Sequence, residues 1–391
     1  MLDFHRLQSQ LADFSAYQTR EAALTASRLR RALAALEACR PAWEGLREKV
    51  AAARPKWLVA GLRADPGGVH HCGPRPTPVT VVATDGSQIF PDRHVEPTCY
   101  LLNVSRIAFQ YGTRERPLME AVPVFRYRRT ELDALEDPLL DGATAEVVSA
   151  LRDEIELREL LDTAKAARLP GRPLVALADG TLIRWMIRRM QNRALEAQLI
   201  ERYTEILSGF RDEGLPLCSY ISMPANTEVV NLLRLFLDEP EETGDGTTPP
   251  DPEQTLAGLT DRRLFEAVLP PGARSATFES ASHIQREYGE DRICYFYLHV
   301  PLPGGGEIGR VEIPCWVADD ERLVDLVHAV VLSECEKGNG YPMILSEAHE
   351  RAVIRAQEKA LFYELIEREM RGKGLSYAGS RKQASKRRPV V

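Results

Sequence analysis

Two short apolar runs in this chain each end in a single carboxylate followed by glycine and a hydroxyl residue. They are VTVVATDGSQIF, residues 79–90, and LVALADGTLIRW, residues 174–185. Either one alone reads as an Asp that caps a turn through its own backbone, with glycine supplying the permissive dihedral. Two such ends, Asp85 and Asp179, 94 residues apart, are harder to dismiss as turns. Between them VVSALRDEIELRELLDTA offers three glutamates, Glu154, Glu156 and Glu159. At ~100° per residue, the apolar stripe of Ala150, Leu157, Leu161 and Ala164 encloses Glu154 and borders Glu156, while Glu159 points largely to water. Without the two aspartates this helix would be an ordinary solvated acidic face. A fourth element, GNGYPMILSEAHERAVIRAQEKALFYEL at 338–365, carries His349 on a face shared with Leu345, Ala352, Val353 and Ala356. That pattern aims the imidazole at the fold, where alone it would be a core histidine; beside the carboxylates it could ligate a metal or pass a proton to a leaving oxygen.

Clustered carboxylates repel one another unless a divalent cation neutralises them, and oxygen ligands of this kind select Mn²⁺ or Mg²⁺. Two such ions about 3.5–4 Å apart activate water and stabilise the leaving oxygen of a phosphodiester. The chemistry expected of Asp85, Asp179, a helix glutamate and His349 is therefore metal-dependent phosphodiester hydrolysis.

The elements that must position these groups follow a definite order. Residues 1–62 read as an Ala-, Leu- and Arg-rich helical arm broken at Pro41 and Pro55, and 63–78, RADPGGVHHCGPRPTP, as a Pro/Gly linker. Strands are expected at 79–83, 98–110 and 118–127, then a helix over about 143–168 and a strand at 172–180. A helix from Leu182 to about Arg211, a strand at 215–222 and a helix from about Asn226 to Phe236 come next. The acidic, Pro/Gly-rich stretch 237–258 reads as a mobile loop. Strands near 292–300 and 307–314 and helices near 319–337 and 345–371 complete the domain 79–371. Three strands, helix, strand, helix, strand is the succession of an α/β, ribonuclease H-like mixed sheet flanked by helices, here with an N-terminal helical arm. In that architecture the first strand, first helix, fourth strand and last helix meet at one edge.

Composition narrows the class. The 391 residues, 44% hydrophobic and 27% charged, suit a globular protein. No run approaches the roughly 18 apolar residues of a membrane span, and MLDFHRLQSQ lacks the order of a signal peptide, so a cytoplasmic location is expected. The net charge of −7 hides an asymmetry: residues 371–391 hold seven Lys/Arg and no acid. A basic tail (372–391) on an acidic body suits a partner that is a polyanion, with Lys382, Lys386, Arg387 and Arg388 as the phosphate-contacting candidates; it also suits an idle solvated terminus. The seven cysteines include no CxxC pair and read mostly as small buried apolar groups. His70-His71-Cys72 cannot all converge on one ion from adjacent positions.

Together, ATDGSQIFPDRH, LADGTLIRW, YISMPANTEVVNLLR, RVEIPCW and GYPMILSEAHERAV resemble the NurA family of DNA-end-processing nucleases, from about residue 79 onward. The resemblance implies a ribonuclease H-like core and a Mn²⁺-dependent 5′ to 3′ exonuclease and single-strand endonuclease that resects DNA ends in break repair. It further implies a homodimer that works with a HerA-type hexameric translocating ATPase. By position it carries metal-site roles onto Asp85, Asp179 and His349, and onto Glu156 ahead of Glu154. Relatives often carry a basic residue after the YIS strand, where this chain has Met223. Two other classes compete: a catalytically silent adaptor of a DNA-translocating ATPase, and an actin-like sugar-kinase-type ATP-binding protein. The kinase reading needs LPGGGEIGR, 302–310, to bind adenosine rather than turn a hairpin. A haloacid-dehalogenase-type phosphatase is excluded because Leu177 stands where its nucleophile motif needs an Asp.

Overall fold

The computed structural model describes residues 3–53, 56–92, 95–132, 145–189, 192–238 and 255–377. Most of the acidic stretch 237–258 and the basic tail, including Lys382, Lys386, Arg387 and Arg388, lie outside them. In chain order the elements begin with α1 (Phe4–Cys39) and α2 (Trp43–Ala52), parted by a short turn at Pro41. Next come β1 (Gly61–Leu62), β2 (Val69–His70), β3 (Val79–Ala83), β4 (Gly86–Ile89), β5 (Tyr100–Tyr111) and β6 (Leu118–Arg126). Helices α3 (Arg129–Leu132) and α4 (Ala145–Ala167), β7 (Leu174–Asp179), α5 (Arg193–Asp212) and β8 (Leu217–Ser222) follow. The remainder is α6 (Glu228–Phe236), α7 (Asp261–Val268), β9 (Arg274–Ser275), β10 (Phe278–Glu279), β11 (Ile293–Leu302), β12 (Gly305–Pro314), α8 (Cys315–Ala318), α9 (Glu321–Lys337), α10 (Met343–Ala352) and α11 (Ala356–Gly372).

All five residues of β3 are buried, as are the first five of β7, so both faces of these strands are covered. Continuous β-branched and aliphatic runs of this kind mark the centre of a helix-covered sheet. In the structure β3 pairs parallel with β7 and β7 parallel with β8, while β5 runs antiparallel to β3 and β6 antiparallel to β5. The resulting order β6-β5-β3-β7-β8, with α4 and α5 making the crossovers, is the ribonuclease H-like arrangement expected from the sequence. Beyond β8 the sheet continues antiparallel through β12, β11 and β10 to β1, giving twelve strands among the described residues.

Alternation along the strands divides the core between the two faces. Val81, Ala83, Phe296 and Leu298 pack with α9 and α10, whereas Val82 and Ala176 pack with Leu157, Leu161 and Tyr203 of α4 and α5. Tyr295 and Tyr297 face a separate cluster in which Ala32, Ala35, Leu36 and Cys39 of α1 meet Val229, Leu233 and Phe265 of α6 and α7. The second half of the N-terminal arm is thus anchored, while its first half leaves Phe4, Leu11, Phe14 and Tyr17 more than half exposed. The segment 63–78 is not a free linker, since β2 within it pairs with β9, just as β1 before it pairs with β10.

Two helices differ from the sequence expectation. The helix expected from Leu182 begins only at Arg193, where the Asn192 side chain accepts from Leu195 N. Leu182 N donates instead to Glu312 and Ile183 N to Thr181 Oγ1, so this backbone is committed elsewhere and forms a loop with a single short turn at 185–189. The helix expected over 345–371 is two helices, α10 and α11, parted at 353–355. The carbonyl of Ala352 accepts from Ser87 Oγ and Asn103 Nδ2, which satisfies the end of α10 from the sheet. Cys294 and Cys315 form a disulfide, and Cys39, Cys99, Cys218 and Cys335 are free and buried.

Candidate active site

β3 and β4 are not separated by a turn. Ala83 pairs with Ile107 and Gly86 with Val104, so the chain passes Asp85 in unbroken register along β5. Ser105 N donates to Asp85 O at 2.8 Å, and Asp85 N donates to Ser105 Oγ at 3.0 Å. The parallel neighbour β7 is offset by a constant amount, from Thr80 beside Leu174 to Ala83 beside Leu177, an offset of 94 residues. Asp85 and Asp179 differ by the same 94, so each stands two residues beyond the last paired positions, Ala83 and Leu177, at the same end of the two strands. After Asp179 the chain turns at Gly180, whose φ of +75° lies in the region that favours glycine.

Glu156 reaches this edge from α4. Thr84 Oγ1 donates to Glu156 O at 2.9 Å and fixes the helix against the end of β3. Gly86 lies so close that a Cβ there would strike the Glu156 carboxylate and come within 2.9 Å of Arg152 Cγ. The glycine in the DGS run therefore serves helix approach. Burial pushes the Glu156 carboxyl up to about 8, against the pull of Arg152 and with Asp153 and Asp85 adding to the rise. Arg152 Nε stands 2.8 Å from Glu156 Oε1, yet neither atom completes a well-aligned hydrogen bond. Arg152 is held instead by Gln88 and Asp153, and Arg184 also pairs with Asp153.

The other two helix glutamates go elsewhere. Glu154 is buried, accepts from Arg158 at 2.7 Å, and lies 3.8 Å from Arg202 of α5. Glu159 does not point to water: it accepts from Arg106 Nε at 2.6 Å, and only 16% of its side chain is exposed. His349 also departs from expectation, because its side chain is 64% exposed. The buried face of α10 is Ile344, Leu345, Ala348 and Ala352, and the imidazole stands at its edge with Nδ1 2.9 Å from Asp85 Oδ2. Asp85 Oδ1 accepts from Gly86 N at 2.8 Å. The sequence reading missed Tyr341, whose hydroxyl donates to Asp179 Oδ1 at 2.7 Å. Its only sequence signal is its position eight residues before His349, in GYPMILSEAH.

Asp85, Asp179 and Glu156 present carboxylate oxygens and His349 an imidazole, the donor set of a hard divalent cation. Among the described residues no group of three or more His, Cys, Asp or Glu side chains is gathered tightly enough to hold a metal ion as it stands. Each carboxylate is occupied by a neighbour that a cation would displace or share: Tyr341 on Asp179, His349 on Asp85, Arg152 beside Glu156. Glu156 Oε1 is buried with only the poorly aligned Arg152 Nε beside it, and three carboxylates with an imidazole are donors of the kind that a hard divalent cation takes. His70, His71 and Cys72 make no such set; Cys72 Sγ accepts from Arg75 at 2.9 Å.

Residues 79–354 match the model of the NurA domain family. The crystal structure of the NurA nuclease from Sulfolobus solfataricus aligns with a TM-score of 0.51 at 14% identity, covering 95% of this chain and 98% of that one. A crystal structure of NurA with manganese aligns at 11% identity over 74% of this chain and 90% of that one, with a TM-score of 0.34. No curated protein sequence matches the chain.

Proposed function

The chain belongs to the NurA family, and we propose that it is a Mn²⁺-dependent DNA nuclease, with Mg²⁺ as a second usable ion. What supports this reading is that Asp85 and Asp179 each stand two residues beyond the last paired positions of β3 and β7, with Glu156 brought to the same edge by Thr84 and His349 on Asp85. Asp85, Asp179 and Glu156 would hold the cation, which would supply Lewis-acid polarisation of the scissile phosphodiester. Glu156 would give up its proton to serve as a ligand. Asp85 orients the imidazole through Nδ1, which leaves Nε2 on an exposed side chain to exchange a proton with the attacking or leaving oxygen. Tyr341 holds the Asp179 carboxylate in one rotamer.

The finer activities follow the family: 5′ to 3′ exonuclease and single-strand endonuclease action in resecting DNA ends. The half-exposed Phe4, Leu11, Phe14 and Tyr17 on α1 support a role for the arm in assembly, as a homodimer or against a HerA-type ATPase. The tail cations Lys382, Lys386, Arg387 and Arg388 would contact phosphates without reading sequence. Among the described residues no helix is long and apolar enough to cross a membrane. The sugar-kinase reading loses support, because LPGGGEIGR turns the β11–β12 hairpin, pairing Leu302 with Gly305. Digestion of linear and single-stranded DNA with Mn²⁺ tests the proposal; an inert wild-type protein that still binds a translocating ATPase would favour the silent adaptor.

A further inference from the structure

A cavity of about 640 Å³ opens beside the site, and none of Asp85, Glu156, Asp179 or His349 lines it. Its volume is that of a small-ligand site. Leu58, Ile183, Ile221 and Ile284 form apolar parts of the wall, with Trp185 at 44% exposure among them, and His283 and Arg188, the latter paired with Glu196 and Glu287, line it as well. Glu228 also lines it, only 4% exposed. Its Oε1 accepts from Arg310 Nη1 at 2.9 Å and Asn226 Nδ2 at 3.3 Å, but its Oε2 is buried without a hydrogen-bond partner. Arg310 does not offer a free cation to the cavity, since its guanidinium is divided between Glu228 and Glu312 and lies 3.6 Å over the Tyr295 ring.

An orphaned buried carboxylate oxygen calls for a donor, and it rejects a phosphate. Flat apolar walls with an indole favour a planar heterocycle. The loop 180–185 ties this cavity to the active site: Thr181, Ile183 and Trp185 line the cavity, while Arg184 between them reaches Asp153 beside Glu156. Thr181 in the cavity wall is two residues beyond Asp179, so a strand whose phosphate lay at Asp85 and Asp179 would direct a neighbouring base toward the cavity.

We propose that this cavity receives one unpaired nucleobase of the DNA strand, stacked on Trp185 and donating an exocyclic amine hydrogen to Glu228 Oε2. This rests on the nuclease reading for the placing of the phosphate. Adenine, cytosine and guanine each bring the amine. Thymine has its one donor between two carbonyls, which a carboxylate repels. The site thus makes the protein prefer unpaired, amine-bearing bases.

The test is binding of single-stranded oligodeoxyadenylate carrying 2-aminopurine, in EDTA so that nothing is cleaved. Wild-type protein should quench the probe, and Trp185→Ala should remove the quench and weaken binding by roughly tenfold. Oligothymidylate should bind the wild type several-fold more weakly, and Glu228→Gln, checked for folding by its thermal melt, should level that difference. Unchanged quench and affinity in Trp185→Ala, or equal wild-type affinity for the two homopolymers, overturns the proposal. Hydrolysis of bis(p-nitrophenyl) phosphate with Mn²⁺, a substrate without a base, separates the two readings. A wild type that quenches but does not hydrolyse removes the nuclease and keeps the cavity, and one that hydrolyses without quenching removes the cavity alone.

Discussion

The backbone of Gly86 runs against the carboxylate of Glu156, so that even one added methyl would occupy the space of Oε1. Because the obstructing atoms, Glu156 Oε1 and Cγ and Arg152 Cγ, all belong to side chains and none to backbone, a Gly86→Ala protein should fold once these side chains shift. Its Glu156 should be displaced from the site, lowering Mn²⁺-dependent nuclease activity by about 10²-fold. Gly180→Ala is the contrast: nothing lies within 4 Å of its added Cβ, and its cost is the strain of a positive φ, about 1 kcal/mol. Melting curves and single-turnover rates on the two variants separate displacement from strain. Equal activity losses at equal stability would sink the argument.

The equivalent positions of the two aspartates, each two residues past the last pair of β3 and β7, predict a shared phenotype. Asp85→Asn and Asp179→Asn each keep shape but lose a ligand charge, so DNA hydrolysis should fall by orders of magnitude, and the double variant should be hardly worse. Folding should survive, and metal-free melting temperatures should hold or rise as carboxylate repulsion is relieved. His349→Ala should reduce turnover less, within the ~10²–10⁴-fold usual for a proton-transfer group. Full activity in a folded Asp85→Asn protein would end the nuclease assignment.

Glu156 adds a pH signature. Its carboxyl is raised to about 8 in the metal-free protein, so below that pH a proton must leave before a cation binds. Apparent Mn²⁺ affinity, read from metal-induced melting shifts, should rise by up to tenfold per pH unit from pH 6 and flatten above about 8. The sign for the metal-free fold is opposite. A raised carboxyl favours the folded state most below its unfolded value and loses that contribution as pH rises through about 8. Glu156→Gln should abolish both slopes, and a Gln variant with the wild-type pH profile would refute the assignment.

How far the sequence could be read depends on whether a signal is local. The places of Asp85 and Asp179 in the fold were legible because a buried parallel pair needs continuous apolar strands, and those runs end at or two residues before the carboxylates. The choice of Glu156 over Glu154 and Glu159 came from family resemblance. Helical phase alone favoured Glu154, which the structure turns toward Arg158 and Arg202. Arg106, on a different strand, drew Glu159 out of solvent, and no pattern within α4 encodes that. His349 is expected on a buried face but stands exposed at its edge: the apolar pattern runs over 345–356 in the sequence, whereas α10 ends at Ala352, whose carbonyl Ser87 and Asn103 capture. Tyr341 went unread because its partner is 162 residues away.

Asp261 carries a last prediction, away from the active site. Its carboxylate is fully buried, with Oδ2 accepting from Val229 N at 3.0 Å and Tyr297 Oη at 2.7 Å, and Oδ1 from Val230 N at 2.8 Å. It thereby caps α6 from the first turn of α7. Burial nevertheless wins over these three donors, and with the nearby Glu228 charge it pushes the carboxyl up from 3.8 to about 7. A folded-state value above the unfolded one means that the native protein holds this proton more tightly. The contribution is therefore complete below the unfolded value and is lost as pH rises toward about 7, at up to ~1.4 kcal/mol per pH unit. Wild-type melting temperature should fall between pH 5 and 7 by more than that of Asp261→Asn, which keeps one acceptor and cannot ionise. Taking the difference between the two proteins at each pH cancels the other titrating groups. A difference that stays constant from pH 5 to 8 would show that Asp261 is ionised throughout and that its three hydrogen bonds outweigh its burial.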